Sequence, residues 1–137
     1  MPILWPWGRI GAGGEGGVAL DLLSGSESTS NVAWTTVGAR SVDTTSLPTA
    51  VFRALIEATT GRTCNVRLYN LEDAVEVDGT SLNSSSVTPE LVSASLVAGT
   101  TTGFPANVRR TYLLQIMMDS GAYPDVVGCK SATLEAT

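Results

Sequence analysis

From residue 49 to residue 71 the chain alternates between apolar and polar positions with a period of two. Ala50, Phe52, Ala54, Ile56 and Ala58 fall on one side of an extended backbone, with Arg53 and Glu57 on the other. After Thr59-Thr60-Gly61 the pattern resumes, with Cys64, Val66 and Leu68 set against Asn65, Arg67 and Tyr69. That period marks strands with one face in a core, and the glycine between the runs reads as a turn. The two runs are expected to form the central pair of an antiparallel sheet.

Shorter patterns flank this pair. Residues 32–37 read as a strand ended near Gly38, and residues 74–77 as a short strand closed by Asp78-Gly79, a favoured turn dipeptide. Residues 91–97 alternate Val92, Ala94 and Leu96 against Ser93 and Ser95. Residues 110–118 place Tyr112, Leu114, Ile116 and Met118 on one face, but Leu113 and Met117 are apolar too, which predicts a central strand or one covered on both faces. The last strand, residues 126–135, points Ala132 and Leu134 inward. Residues 84–86 and 99–106 read as connections. Seven or eight short strands separated by turn signals predict an all-β fold, an antiparallel β-sandwich over residues 31–137.

Residues 1–30 differ from the rest and are expected to form an N-terminal arm and linker. Ile3, Leu4, Trp5, Trp7 and Ile10 make an apolar leader broken by Pro2 and Pro6, followed by a glycine-rich run from Gly11 to Gly17. That run lacks the Lys-Ser/Thr of a phosphate loop and has no strand before it, so it reads as a flexible spacer. The leader lacks a basic start and a small-residue cleavage site, so export through a signal peptide is not expected. The five apolar residues are the candidate partner-docking segment, expected to reach a groove on a neighbouring subunit across the spacer, the alternative being that the arm folds onto its own sandwich.

Composition narrows the function. At 137 residues the chain is one domain's worth, large enough to bury a core without a metal or disulfide staple. The 31 serines and threonines suit strands and turns better than helices. A net charge of −5, with Lys130 the sole lysine, argues against nucleic acid as a partner. No stretch is apolar enough to span a membrane as a helix. Histidine is absent, which removes the commonest general base and metal ligand together. Cys64 and Cys129 fall on separate expected strands and form no metal-binding pair; they read as small buried apolar residues or as a bridge between strands.

No catalytic constellation emerges, and neither a cofactor nor a metal is expected. Glu72, Asp73, Glu76 and Asp78 gather four carboxylates in seven residues, but their spacing departs from an EF-hand loop and reads as a solvated hairpin end. Nothing links any two acids across a cleft, as glycoside hydrolysis requires. Asn83-Ser84-Ser85 is a glycosylation sequon whose meaning depends on export. Tyr69 faces outward on its strand, and Trp34 and Tyr123 are its candidate companions for stacking on a sugar ring.

The progression VFRALIEATTGRTCNVRLYNLEDAVEVDGT, SSSVTPELVSASL, YLLQIMM and CKSATLEAT resembles the small jelly-roll domains of tailed-bacteriophage virion proteins. These occur as capsid decoration proteins and in head or tail fibres, and they also resemble carbohydrate-binding modules. The likeness covers residues 31–137 and carries no site residue. It implies a jelly-roll-like sandwich in a non-enzymatic structural role in the virion. The implied role is a capsid decoration protein, trimeric, docking through its arm on the major capsid protein and on its own copies. The alternative is a carbohydrate- or receptor-binding module of a tail fibre, working through Tyr69, Trp34 and Tyr123.

Overall fold

The structure, a computed structural model, describes residues 19–137. The leader residues Ile3, Leu4, Trp5, Trp7 and Ile10, and the glycine run after them, lie outside the described residues. Within that range the strands are β1 (Ala19–Asp21), β2 (Glu27–Thr29), β3 (Thr35–Asp43), β4 (Thr49–Ala58) and β5 (Cys64–Asn70). They continue as β6 (Val75–Glu76), β7 (Leu82–Ser84), β8 (Glu90–Val97), β9 (Arg109–Met118) and β10 (Val127–Ala136). One 3-10 turn, Thr44–Ser46, links β3 to β4 and is capped by the Asp43 carboxylate, which accepts from Thr45 N at 2.9 Å.

Two antiparallel sheets form the sandwich. Sheet A has the order β1-β10-β4-β8, with β2 also on β10; sheet B has the order β3-β9-β5-β6, with β7 also on β5. The expected all-β sandwich is what the chain forms. Each alternating run drives it by turning one face inward, where burying a large aliphatic or aromatic side chain contributes roughly 1.5–3 kcal/mol. Phe52 and Ile56 from β4 and Leu134 from β10 are fully buried, as are Cys64, Val66 and Leu68 from β5 and Tyr112, Leu114, Ile116 and Met118 from β9.

Three expectations change. The runs 50–58 and 64–70 are not neighbours in one sheet: β4 lies between β10 and β8, and β5 between β9 and the pair β6 and β7. The turn at Gly61, where Arg62 N donates to Thr59 O at 2.9 Å, carries the chain from one sheet to the other. Both runs have a core-facing side because they face each other across the core. Alternation specifies which side of a strand is buried and leaves its neighbours open.

The sandwich also begins earlier than residue 31. Ala19, Leu20 and Asp21 pair with Glu135, Leu134 and Thr133, and β2 pairs with β10 from Val127 to Cys129. Leu22 and Leu23 are buried beneath them. Strands of three residues are too short to display a period, so this stretch reads as linker in the sequence. In the same way β7 lies between the turn at Asp78-Gly79 and the connection at 84–86, where the sequence predicts no strand.

The strand expected at 32–37 instead starts at Thr35 and runs through Gly38 to Asp43. Gly38 is no strand end. A Cβ there would lie 2.0 Å from the backbone oxygen of Leu22, so glycine is the residue that lets the Leu22 segment lie against β3. The register between β3 and β9 shifts at this point, between Thr36 and Gly38.

Candidate functional site

The outward residues of sheet B gather the aromatic and amide side chains. Alternation along β5 sends Asn65, Arg67 and Tyr69 outward, and the register with β9 sets them opposite Met117, Gln115 and Leu113. On the far side of β9, Thr36 lies opposite Gln115 and Ala39 opposite Leu113. Asn83 of β7 stands beside Asn65, and Glu76 of β6 beside Tyr69. Trp34, immediately before β3, enters this face from its edge.

Arg67 organises the group. Its guanidinium carbon lies 4.4 Å from the Trp34 ring centroid and 5.0 Å from that of Tyr69. Its Nε donates to Gln115 Oε1 at 2.8 Å and its Nη1 to Glu76 Oε1 at 3.2 Å, while Gln115 Nε2 donates to Thr36 Oγ1 at 3.1 Å. Two acceptors and two aromatic rings therefore hold the guanidinium, a set of contacts that a single ammonium could not reproduce. Its side chain is 17% exposed. Trp34 and Tyr69 are half-buried, so each keeps surface toward solvent. The cation of Arg67 is balanced by Glu76, which leaves this patch without net charge and bordered by neutral hydrogen-bonding groups at Asn65, Asn83, Gln115 and Thr36.

Of the three expected aromatic contacts, then, the structure brings Trp34 and Tyr69 together. Tyr123 stands 82% exposed in the loop between β9 and β10, next to a cis bond to Pro124, and takes no part in the stack. Arg67, Gln115, Glu76 and Thr36 were missed. A signal for Arg67 was present: it lies two residues before Tyr69 and so shares its face.

The acidic group does not converge. Glu72 accepts from Thr111 N at 2.7 Å and from Thr111 Oγ1 at 3.0 Å, and the backbone bond holds its carboxyl below the ordinary range. Asp73 is engaged by Arg110 Nε at 3.1 Å and by Asn70 Nδ2 at 2.9 Å, Glu76 belongs to Arg67, and Asp78 is exposed. No cluster of acids and thiols suited to a metal forms among the described residues. The two cysteines are buried and unbridged, one in each sheet. Burial, together with the neighbouring Cys129 thiol, pushes Cys64 up to about 12, and burial pushes Cys129 to about 11. Neither is poised as a nucleophile.

No protein-family model matches the chain, and no curated protein matches it. Solved structures do. The fold is similar to a xylan-binding module, CBM15, with a TM-score of 0.52 and 12% identity over 89% of this chain and 98% of that one. It is equally similar, TM-score 0.52 and 11% identity over 88% of this chain, to part of a mutant xylanase 10C from Cellvibrio japonicus in complex with xylopentaose. The chain spans 28% of that xylanase. At such identities the likeness establishes a shared β-sandwich architecture.

Proposed function

We propose that this protein is a non-enzymatic carbohydrate-binding module whose ligand lies on the outer face of sheet B. The observation that carries the reading is the fixed stack of Trp34, Arg67 and Tyr69 within a border of neutral amides and hydroxyls. A pyranose ring presents apolar C–H faces to aromatic rings and hydroxyls to amide and guanidinium groups. The pairing of Arg67 with Glu76 favours an uncharged glycan over an anionic one. The xylan-binding neighbour is a binding module of nearly the same extent, which makes xylan the first ligand to try. Among the described residues Glu72, Asp73 and Glu76 are each held by different partners and both thiols are buried, which supports binding rather than catalysis.

The test is retention on insoluble xylan and cellulose, with titration calorimetry on their soluble oligosaccharides. The native protein should bind at least one of these glycans. Trp34→Ala and Tyr69→Ala should each weaken binding about tenfold or more, while circular dichroism stays unchanged. Binding by both variants at native strength would refute the placement, and failure of the native protein on the whole panel would refute the function. The capsid-decoration reading rests on the leader, outside the described residues. No observation within residues 19–137 favours it over sugar binding.

A further inference from the structure

Strand β8 ends sheet A on the side away from β10, and among the described residues no strand pairs with its outer edge. The register identifies the backbone groups left open. Ala98 N donates to Pro48 O at 2.9 Å, and bonded pairs alternate with non-bonded ones along an antiparallel ladder. Stepping along the register, the bonded pairs are Ala50 with Leu96, Phe52 with Ala94, and Ala54 with Val92. Leu91, Ser93, Ser95 and Val97 therefore turn their N–H and C=O groups away from β4. Val97 uses both locally: its N–H donates to Thr101 Oγ1 at 2.9 Å, and its carbonyl accepts from Thr100 N and Thr101 N at 3.0 and 2.8 Å. Leu91, Ser93 and Ser95 keep an open edge.

Sheet proteins usually protect such an edge with a lysine, a proline, a bulge or a covering segment. The segment 91–97, LVSASLV, has neither charge nor proline, and its register with β4 is unbroken. Leu91 and Val97 are 56% and 43% exposed. The outer edge of sheet B is treated differently: β3 is bulged at Gly38 and lies against Leu22, and its Arg40 Nη1 donates to Asp21 O at 3.3 Å.

We propose that a second copy of this chain occupies the β8 edge, antiparallel, on a two-fold axis through Ser93. In that register Leu91 pairs with Ser95 of the partner subunit, Ser93 with Ser93 of the partner subunit, and Ser95 with Leu91 of the partner subunit. Every open group on both copies is then bonded. A slip of two residues in one direction sets Leu91 against Val97 of the partner subunit, whose groups are already engaged; a slip in the other direction carries Ser95 past the end of the strand. The neutral side chains bring no like charges into opposition across the axis. Odd residues face odd residues, so sheet A continues from copy to copy and both copies of sheet B lie on one side of it. The two stacks of Trp34, Arg67 and Tyr69 then sit on the same side of the assembly, where two weak sites can engage one polymer.

Analytical ultracentrifugation of the full chain at tens of micromolar tests this pairing independently of any sugar. The native protein should sediment at twice the chain mass. Ser93→Lys, which sets two ammonium groups against each other across the axis, should raise the dissociation constant about tenfold or more and leave the circular dichroism spectrum of the folded chain unchanged. Ser93→Pro, which removes only an outward N–H, should do the same, and Ser95→Glu serves if either variant misfolds. A native monomer would overturn the proposal, as would a dimer that survives Ser93→Lys and Ser95→Glu. So would a dimer that is lost on deleting residues 1–17 but indifferent to the β8 substitutions, because the leader would then be the contact.

Discussion

Arg67 lies against Trp34 with its guanidinium carbon 4.4 Å from the ring centroid, and Tyr69 takes the same cation at 5.0 Å. The three side chains come from β5 and from the approach to β3, strands that β9 separates. Gln115 of β9 bridges them, accepting from Arg67 and donating to Thr36. The two aromatic rings on the outer face of sheet B thus share one cation.

Arg67→Lys keeps the charge and loses the fork. The Nε bond to Gln115 and the guanidinium's place over Trp34 are lost, a stabilisation on the order of 1 kcal/mol for a partly desolvated cation–π contact. Glycan affinity should fall to the level of Tyr69→Ala, and tryptophan fluorescence should shift to the red as Trp34 loosens. Unchanged emission and affinity would show that the stack does not depend on the guanidinium.

At Gly38 the obstacle is backbone. A methyl group there would stand 2.0 Å from Leu22 O, and a carbonyl within a packed segment cannot swing aside as a long side chain would. Gly38→Ala should cost about 1–3 kcal/mol in urea denaturation, the range for overpacking. Gly25→Ala, with nothing within 4 Å of the added carbon, is the control and should leave the midpoint in place.

Tyr112 is buried on the inner face of β9, its ring 5.6 Å from that of Phe104, and among the described residues its hydroxyl has no hydrogen-bond partner. Burial pushes this phenol up to about 12. An orphan hydroxyl loses its hydration without compensation, so removing it spares that cost. Tyr112→Phe should be neutral or stabilising by up to about 1 kcal/mol. A clear loss of stability would mean that the hydroxyl has a bonding partner, such as an ordered water.

The thiols set an alkaline limit. Both folded cysteines hold their protons well above the ordinary value of 9.0, Cys64 to about 12 and Cys129 to about 11. Above pH 9 the unfolded chain ionises first, so native stability should decline as pH rises from there toward the folded values. Denaturation curves between pH 8 and pH 10.5 should show the decline, and Cys64→Ala should flatten it relative to its own value at pH 8. At pH 8 a thiol reagent should modify both cysteines only as fast as the protein opens.

Much of the sandwich was legible because β4, β5, β9 and β10 each show several turns of alternation with a buried face. Partnership was not. Phe52 and Val66 carry the same pattern yet lie in opposite sheets, since a period of two encodes sidedness and says nothing of what lies alongside. The three-residue strands at Ala19, Glu27 and Leu82 were illegible for want of length. In the site, Tyr69 was readable from its parity on β5, whereas the role of Arg67 depends on Trp34 arriving from a strand two places away. Register between distant segments creates that meeting, and neither residue announces it alone.

The position of β10 bears on how the molecule is made. Residues 127–136 form an inner strand of sheet A, and β1, β2 and β4 pair with it directly. While a ribosome is still building the chain, β4 has only β8 beside it, and Ala19 waits for a partner more than a hundred positions downstream. Completion of this half of the sandwich is therefore postponed until translation has passed residue 136, and a nascent chain halted before Val127 would leave Phe52 and Ile56 open to chaperones.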